Sequence, residues 1–295
     1  MAQIFDFDFD PPYGQTVTLS PRLRRLTARN PSSFTFKGTN TFIVGRGRVA
    51  VVDPGPALQD HLQALEEALA TETVTAIVAT HHHRDHVEAC RALQDRTGAP
   101  VWGFAPPRAN GVTEALRDGA TWLFCPDEGL ADGDDLRGDG WTLRAIHTPG
   151  HASDHLCLAL LEDGVLLTGD HVMAWSTSVI PPPDGSMADY RASLERLLTR
   201  DETVFHPAHG PPSLRPRALV ANLLERRQRR ECQILAALTQ GGASIEELVA
   251  RIYLDLTPGL KRAAGWSVMA HVIDLAEQGK LIRDTTQDPV RYRRV

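Results

Sequence analysis

Residues 80–87 read Thr80-His81-His82-His83-Arg84-Asp85-His86-Val87, directly after the apolar run 74–79. The core of this stretch is the pattern H-x-H-x-D-H. In an extended segment, side chains two residues apart point the same way, so His81 and His83 can grip one cation while His82 faces elsewhere. Asp85 and His86 begin the next turn and can reach a second cation. Imidazole nitrogen combined with carboxylate oxygen suits zinc, and also manganese or ferrous iron, better than magnesium or calcium. Four ligands divided between two ions leave both unsaturated, so others must come from distant strand ends. His151 lies in Thr148-Pro149-Gly150-His151 after an apolar strand, Asp170 in Thr168-Gly169-Asp170 after the run 165–167, and His209 in Pro207-Ala208-His209-Gly210 after Val204-Phe205. All three fall on loops at strand termini, where a rigid scaffold commonly displays reactive groups.

Outward from this stretch, short apolar segments bounded by Gly and Pro predict strands at 33–36, 41–44 and 49–52, the last stopping at Asp53-Pro54-Gly55. Leu58, Leu62, Leu65 and Leu69 recur at helical spacing and predict a helix over 57–70 with one buried face. The run 74–79 is short enough for a buried strand, and 87–96 predicts a helix ended by Gly98 and Pro100. From 122 to 173 the texture is a meander, with tight turns at Asp132-Gly133, Gly138-Asp139-Gly140 and Glu162-Asp163-Gly164. A helix over 187–199 and a strand over 203–205 follow. Alternating elements around a β-rich middle imply sheets stacked in a sandwich and covered by helices. Near the N-terminus, the Phe/Asp alternation at 5–10 fits an edge strand or a loose arm.

After Gly210 the sequence differs in kind. An Arg-rich amphipathic helix is expected over 217–238, and Ser244 with Glu247 forms a capping box that opens a second helix. A third helix runs over 261–278, and apolar pairs at 281–282 and 290–292 flank a polar turn. Three helices and a terminal hairpin have the outline of a winged helix-turn-helix.

With 295 residues, 42% of them apolar and 23% charged, the chain holds enough core material for one large or two ordinary domains and is too apolar to be disordered. No run approaches the roughly 18 apolar residues of a membrane span. The acidic, Pro-broken start is unlike a signal or transit peptide, so a cytoplasmic protein is expected. Cys90, Cys125, Cys157 and Cys232 contain no C-x-x-C pair, which argues against a thiolate zinc site and predicts reduced, mostly buried thiols. Residues 1–210 carry 17 basic and 28 acidic side chains, whereas 211–295 carry 14 and 9. An acidic front offsets its charge by binding cations, and a basic appendage suits an anionic partner.

The ordered set His81, His83, Asp85, His86, His151, Asp170 and His209 resembles the ligand set of the metallo-beta-lactamase superfamily. That resemblance implies an α/β fold, the αβ/βα four-layer sandwich of this superfamily, over residues 1–212, followed by a small winged-helix domain over 213–295. It implies that His81, His83 and His151 hold a first metal, that Asp85, His86 and His209 hold a second, and that Asp170 bridges them. Asp53 resembles the acidic position that braces the metal loops. The stretch 38–45, Thr148 through His155, Arg226 through Leu235 and the winged helix are similar to beta-lactamase-like protein 2 and its bacterial relatives. Two departures flank ligands: His206-Pro207-Ala208-His209, where relatives commonly show an aromatic residue and Gly, and His171, where some carry Cys.

The expected activity is therefore hydrolysis. Two divalent ions about 3.5–4 Å apart can share one water, lower its pKa and aim a bridging hydroxide at carbon or phosphorus, with Asp85 and Asp170 as the catalytic carboxylates. No nucleophile motif of the G-x-S-x-G or S-x-x-K type is present. Because the similar group includes a single-strand-specific endoribonuclease, single-stranded RNA is the first substrate expected. A small-molecule thioesterase or esterase similar to glyoxalase II is the alternative, and a metal-sensing DNA-binding protein is a third reading. A homodimer is a further expectation. His155 and His171 lie near ligands and are candidates for supporting or substrate contacts, as are Asn40, Trp175, Ser176 and Ser178 by analogy with relatives. His61, His147, His206 and His271 are expected to be structural.

Overall fold

A computed structural model describes residues 4–104, 124–239, 241–254 and 258–295. Two sheets dominate the first part of the chain. Strands β1 (Val17–Ser20), β2 (Leu23–Thr27), β3 (Asn40–Val44), β4 (Arg48–Val52), β5 (Thr73–Val78), β6 (Val101–Phe104) and β7 (Glu128–Leu130) lie side by side in that order. β1 to β4 are antiparallel, and β4 to β7 run parallel. The second sheet has the order β12-β11-β10-β9-β8, formed by β8 (Asp135–Gly138), β9 (Trp141–His147), β10 (Leu156–Leu160), β11 (Val165–Gly169) and β12 (Val204–Pro207). Only β11 and β12 are parallel in it.

Alternation along the strands explains the layering. Phe42, Val44, Ala50 and Val52 point from the first sheet into a core shared with Leu143, Leu158 and Leu167 of the second. The intervening Ile43, Val49 and Val51 face the other way, onto α1 (Gln59–Leu69) and α3 (Cys90–Thr97) through Leu65, Leu69 and Leu93. A strand buried on both faces has no polar side, which is why β4 and β5 read as continuous apolar runs.

Several elements differ from those the sequence predicts. Residues 33–36 form only an isolated bridge, Ser32 to Phe36, because Phe36 takes a left-handed φ of 55° and Ser32 Oγ accepts the backbone N–H groups of Phe34 and Thr35. The helix expected over 87–96 is two: α2 (Arg84–Val87) and α3. The Ala89 N–H donates to Gly55 O rather than into a helix, so the turn after β4 interrupts the ladder. In α1 the buried stripe is His61, Ala64, Leu65 and Leu69, while Leu58 is the exposed residue before the helix. β1, β2 and β6 are additional strands. The arm at 5–10 forms no strand; Asp6 N–H donates to Ala174 O, and Phe9 is buried. Of the cysteines, Cys90 and Cys157 are buried but Cys125 and Cys232 are exposed. The start of the 122–173 meander lies outside the described residues.

The chain forms two compact units. The first includes 1–148, 154–178 and 200–219, and so holds both sheets; the second includes 149–153, 179–199 and 220–295. The second is largely helical: α4 (Met187–Leu198), most of α5 (Pro216–Ala237), α6 (Ile245–Ile252) and α7 (Pro258–Glu277), with the hairpin β13 (Leu281–Asp284) and β14 (Arg291–Arg294). Ile234, Leu248, Val268, Val272, Leu281 and Tyr292 make its core. Ser244 caps α6 as read from the sequence: its Oγ accepts the Glu247 N–H, and Glu247 returns a carboxylate to the Ser244 N–H. Among the described residues, no helix is long and apolar enough to cross a membrane.

Candidate metal centre

Parallel pairing places the site. In the first sheet Val52 lies opposite Val78, so the chain leaves β4 and β5 side by side, with Asp53 next to Thr80. In the second sheet Gly169 lies opposite Pro207, and Ala208 N–H donates to Gly169 O, so Asp170 and His209 leave adjacent strand ends together. Reactive groups gather where parallel strands end in one direction. Gly169 is required at its position. Its φ is 49°, and a Cβ there would lie 2.5 Å from His155 Nε2.

Asp53 ties the histidine loop down. Its carboxylate accepts the Thr80 N–H and the Thr80 hydroxyl, each at 2.8 Å, and His86 Nδ1 at 2.9 Å. Since the Thr80 hydroxyl donates to Asp53, it accepts from His81 Nδ1, 3.0 Å away. Two more imidazoles follow the same rule: His209 Nδ1 donates to Gly38 O at 3.2 Å, and His151 Nδ1 to Val179 O at 2.6 Å. In His81, His86, His151 and His209 the hydrogen is thus fixed on Nδ1, and Nε2 carries a lone pair suited to a cation.

These ligand atoms converge. His81, His83 and Asp170 each offer one atom, all within 4.8 Å of one another, and Asp85, His86 and His209 form a second such group. His81 Nε2 is 2.9 Å from His83 Nδ1, as expected for side chains two residues apart on an extended segment. His86 Nε2 is buried without a hydrogen bond and faces Asp85 and Asp170 at 3.5 and 3.6 Å. His209 Nε2 faces the same two carboxylates at 3.3 and 3.2 Å. Burial alone would lower the pKa of both rings, but Asp85 and Asp170 outweigh it: His209 is raised to about 10 and His86 well above its ordinary value. Burial would raise the carboxyls, yet facing His86 and His209 holds Asp85 and Asp170 below the usual range. The pocket is therefore a buried place built for positive charge, and its nitrogen and oxygen donors fit divalent metal.

Around this centre the other singled-out residues take lesser places. His82 turns away to Asp154, 2.9 Å distant. His155 is fully buried; its Nε2 accepts the Asp170 N–H at 3.1 Å, and its Nδ1 lies 2.9 Å from Thr148 Oγ1, so it orients Asp170 through the backbone. Asn40 is a strut rather than a pocket wall: Thr27 donates to its Oδ1, and its Nδ2 donates to Pro207 O and Gly210 O on either side of His209. Ser178 donates to His171 O, and Trp175 stacks on Phe36 at 4.8 Å. His61 bridges Thr41 and Pro54 O, and His147 stacks on Phe104. His171, His206 and His271 are buried. Thr80, Thr39 and Gly38 escaped the sequence reading. Thr39 Oγ1 donates to Asp85 Oδ2 at 3.2 Å, and only its place just before β3, far along the chain from Asp85, hides that role.

Residues 34–209 match the family model for the metallo-beta-lactamase superfamily, and 244–288 match that for the beta-lactamase associated winged helix domain. The chain belongs to the metallo-beta-lactamase superfamily. It is similar to the lactamase-like protein notP of Aspergillus sp. (30% identical, covering 88% of this chain and 82% of that one) and to the beta-lactamase-like protein 2 homolog of Caenorhabditis elegans (30%, 85% and 80%). It is also similar to the atrochrysone carboxyl ACP thioesterase AgnL7 of Paecilomyces divaricatus (32%, 77% and 68%). Among solved structures, a metallo-beta-lactamase family protein from Thermus thermophilus superposes with a TM-score of 0.76 at 27% identity, over 94% of this chain and all of that one. As a member of this superfamily the protein is a hydrolase with a centre able to hold metal.

Proposed function

We propose that the protein hydrolyses acyl thioesters. In this reading His81, His83 and His151 hold one divalent cation, Asp85, His86 and His209 hold another, and Asp170 serves both; zinc is the cation expected from the imidazole-rich donor set. Such cations supply a nucleophile at neutral pH and take up negative charge that develops on the substrate oxygen. The chain's own part is orientation. Asp53, Thr80, Gly38 O and Val179 O fix His86, His81, His209 and His151 respectively with Nε2 inward, while His155 fixes the backbone of Asp170 and Thr39 fixes Asp85. Hydrolysis joins the oxygen of water to the acyl carbon, breaks the C–S bond and returns a proton to the departing thiol, so no redox partner is needed.

The observation that carries the thioester is the likeness, along most of the chain, to several relatives named as acyl carrier thioesterases. A second reading, cleavage of single-stranded RNA, draws on the likeness to the beta-lactamase-like protein 2 homolog and on the basic surplus after residue 210. One experiment separates them: metal-replete protein and an Asp85→Ala/His86→Ala control are assayed on thioesters, lactones and single-stranded RNA. Thioester turnover lost in the control supports the proposal. RNA cleavage lost in the control, with thioesters untouched, replaces it.

A further inference from the structure

A thioester borne by a protein needs a surface for that protein. We propose that the groove between α6 and α7 docks an acidic, helical acyl-carrier domain, an inference that rests on the thioesterase reading. The groove has a volume of about 860 Å³, and its apolar part is formed by Val249, Tyr253, Trp266 and Met269. Leu254 stands beside it with 84% of its surface exposed. Its basic edge is Lys261 and Arg262, both exposed and neither paired with a carboxylate among the described residues; Glu246 is the acidic member of the lining. A trough of this form, apolar within and cationic at the edge, is complementary to an amphipathic helix whose polar flank is acidic.

The lining argues for a peptide over a nucleic acid: apolar side chains outnumber Lys261 and Arg262, and Glu246 adds a carboxylate that would repel a phosphate backbone. The Arg262 guanidinium lies 4.5 Å over the Trp266 ring, and that of Arg230 lies 4.1 Å over Tyr253. The Trp266 contact holds the Arg262 guanidinium in place for an incoming carboxylate at reduced entropic cost.

The test uses the full chain, as wild type and as the charge reversal Lys261→Glu/Arg262→Glu. Hydrolysis is measured on one acyl group carried either by an acidic acyl carrier protein or by N-acetylcysteamine. Binding of the carrier, labelled with a fluorophore, is measured separately by anisotropy. The reversal is expected to raise KM for the carrier-borne thioester by about tenfold and leave the small thioester unchanged, and added salt should weaken carrier binding to the wild type. Equal kinetics of the two proteins on the carrier-borne substrate overturn the docking site. If neither thioester is turned over, the hydrolytic reading fails by itself; carrier binding that is lost in the reversal still supports the groove, and absent binding refutes it. Single-stranded RNA displacing bound carrier from the wild type alone would reassign the groove to nucleic acid.

Discussion

Asp53 shows how much of the site rests on one side chain that offers no atom to either ligand group. It sits at φ 48°, a left-handed conformation that is uncommon outside glycine, and it accepts three hydrogen bonds in a fully buried setting. Asp53→Ala leaves the Thr80 N–H and His86 Nδ1 without acceptors, so a loss on the order of 3 kcal/mol in urea unfolding is expected, together with reduced bound metal by elemental analysis. Asp170 is different in kind, since its carboxylate faces His86 and His209. Asp170→Ala should abolish turnover while circular dichroism stays that of the wild type; a metal-replete, active variant would contradict its assigned role. His206 gives a pH signature. Burial first, and then the nearby Arg25 charge, lower its pKa to about 4. The folded value lies below the unfolded one near 6.5, so the unfolded chain binds the proton more readily. Stability from this group is complete above pH 6.5 and is lost as the pH falls toward 4, by up to about 3 kcal/mol. The His206→Phe variant should show a shallower decline than wild type over that window; parallel curves would exclude the effect.

At the scale of elements, the capping box of α6 was fully readable because it is local: four consecutive residues contain both partners. Ser244→Ala should cost about 1 kcal/mol, read as a lower denaturation midpoint of the second unit. The convergence of the candidate loops was legible for the same reason, since H-x-H-x-D-H lies within six residues and the strand-end candidates announce themselves by apolar runs that stop at Gly or Pro. What escaped depends on distant chain. β2 reads as too charged for a buried strand, yet Arg24 pairs with Glu72 at 2.8 Å and Arg25 stacks on Phe9, which lets both lie inside. The single helix expected over 87–96 is divided by a carbonyl supplied from Gly55, more than 30 residues earlier. His155 could be suspected but not placed, because its hold on Asp170 depends on the pairing of β9, β10 and β11.

For the molecule as a whole, the centre gathers imidazole and carboxylate groups of like function into one buried place. Asp85 and Asp170 share the same two imidazoles, and the Nε2 of His86 is buried with no hydrogen bond. Any ligand that binds this arrangement and not the unfolded chain stabilises the fold by mass action, about 2.7 kcal/mol at a free concentration one hundred times its Kd. Chelation should accordingly lower the Tm and abolish hydrolysis together, and titration with zinc or manganese should restore both. Scanning calorimetry followed by assay of the same samples checks this. The Asp85→Ala/His86→Ala protein should start near the chelated Tm and regain little when metal is added, because one of its two ligand groups retains only His209. If chelation left the wild-type Tm and activity both unchanged while elemental analysis confirmed the protein metal-free, the seven side chains would be a structural network and the metal-dependent reading of this site would fall.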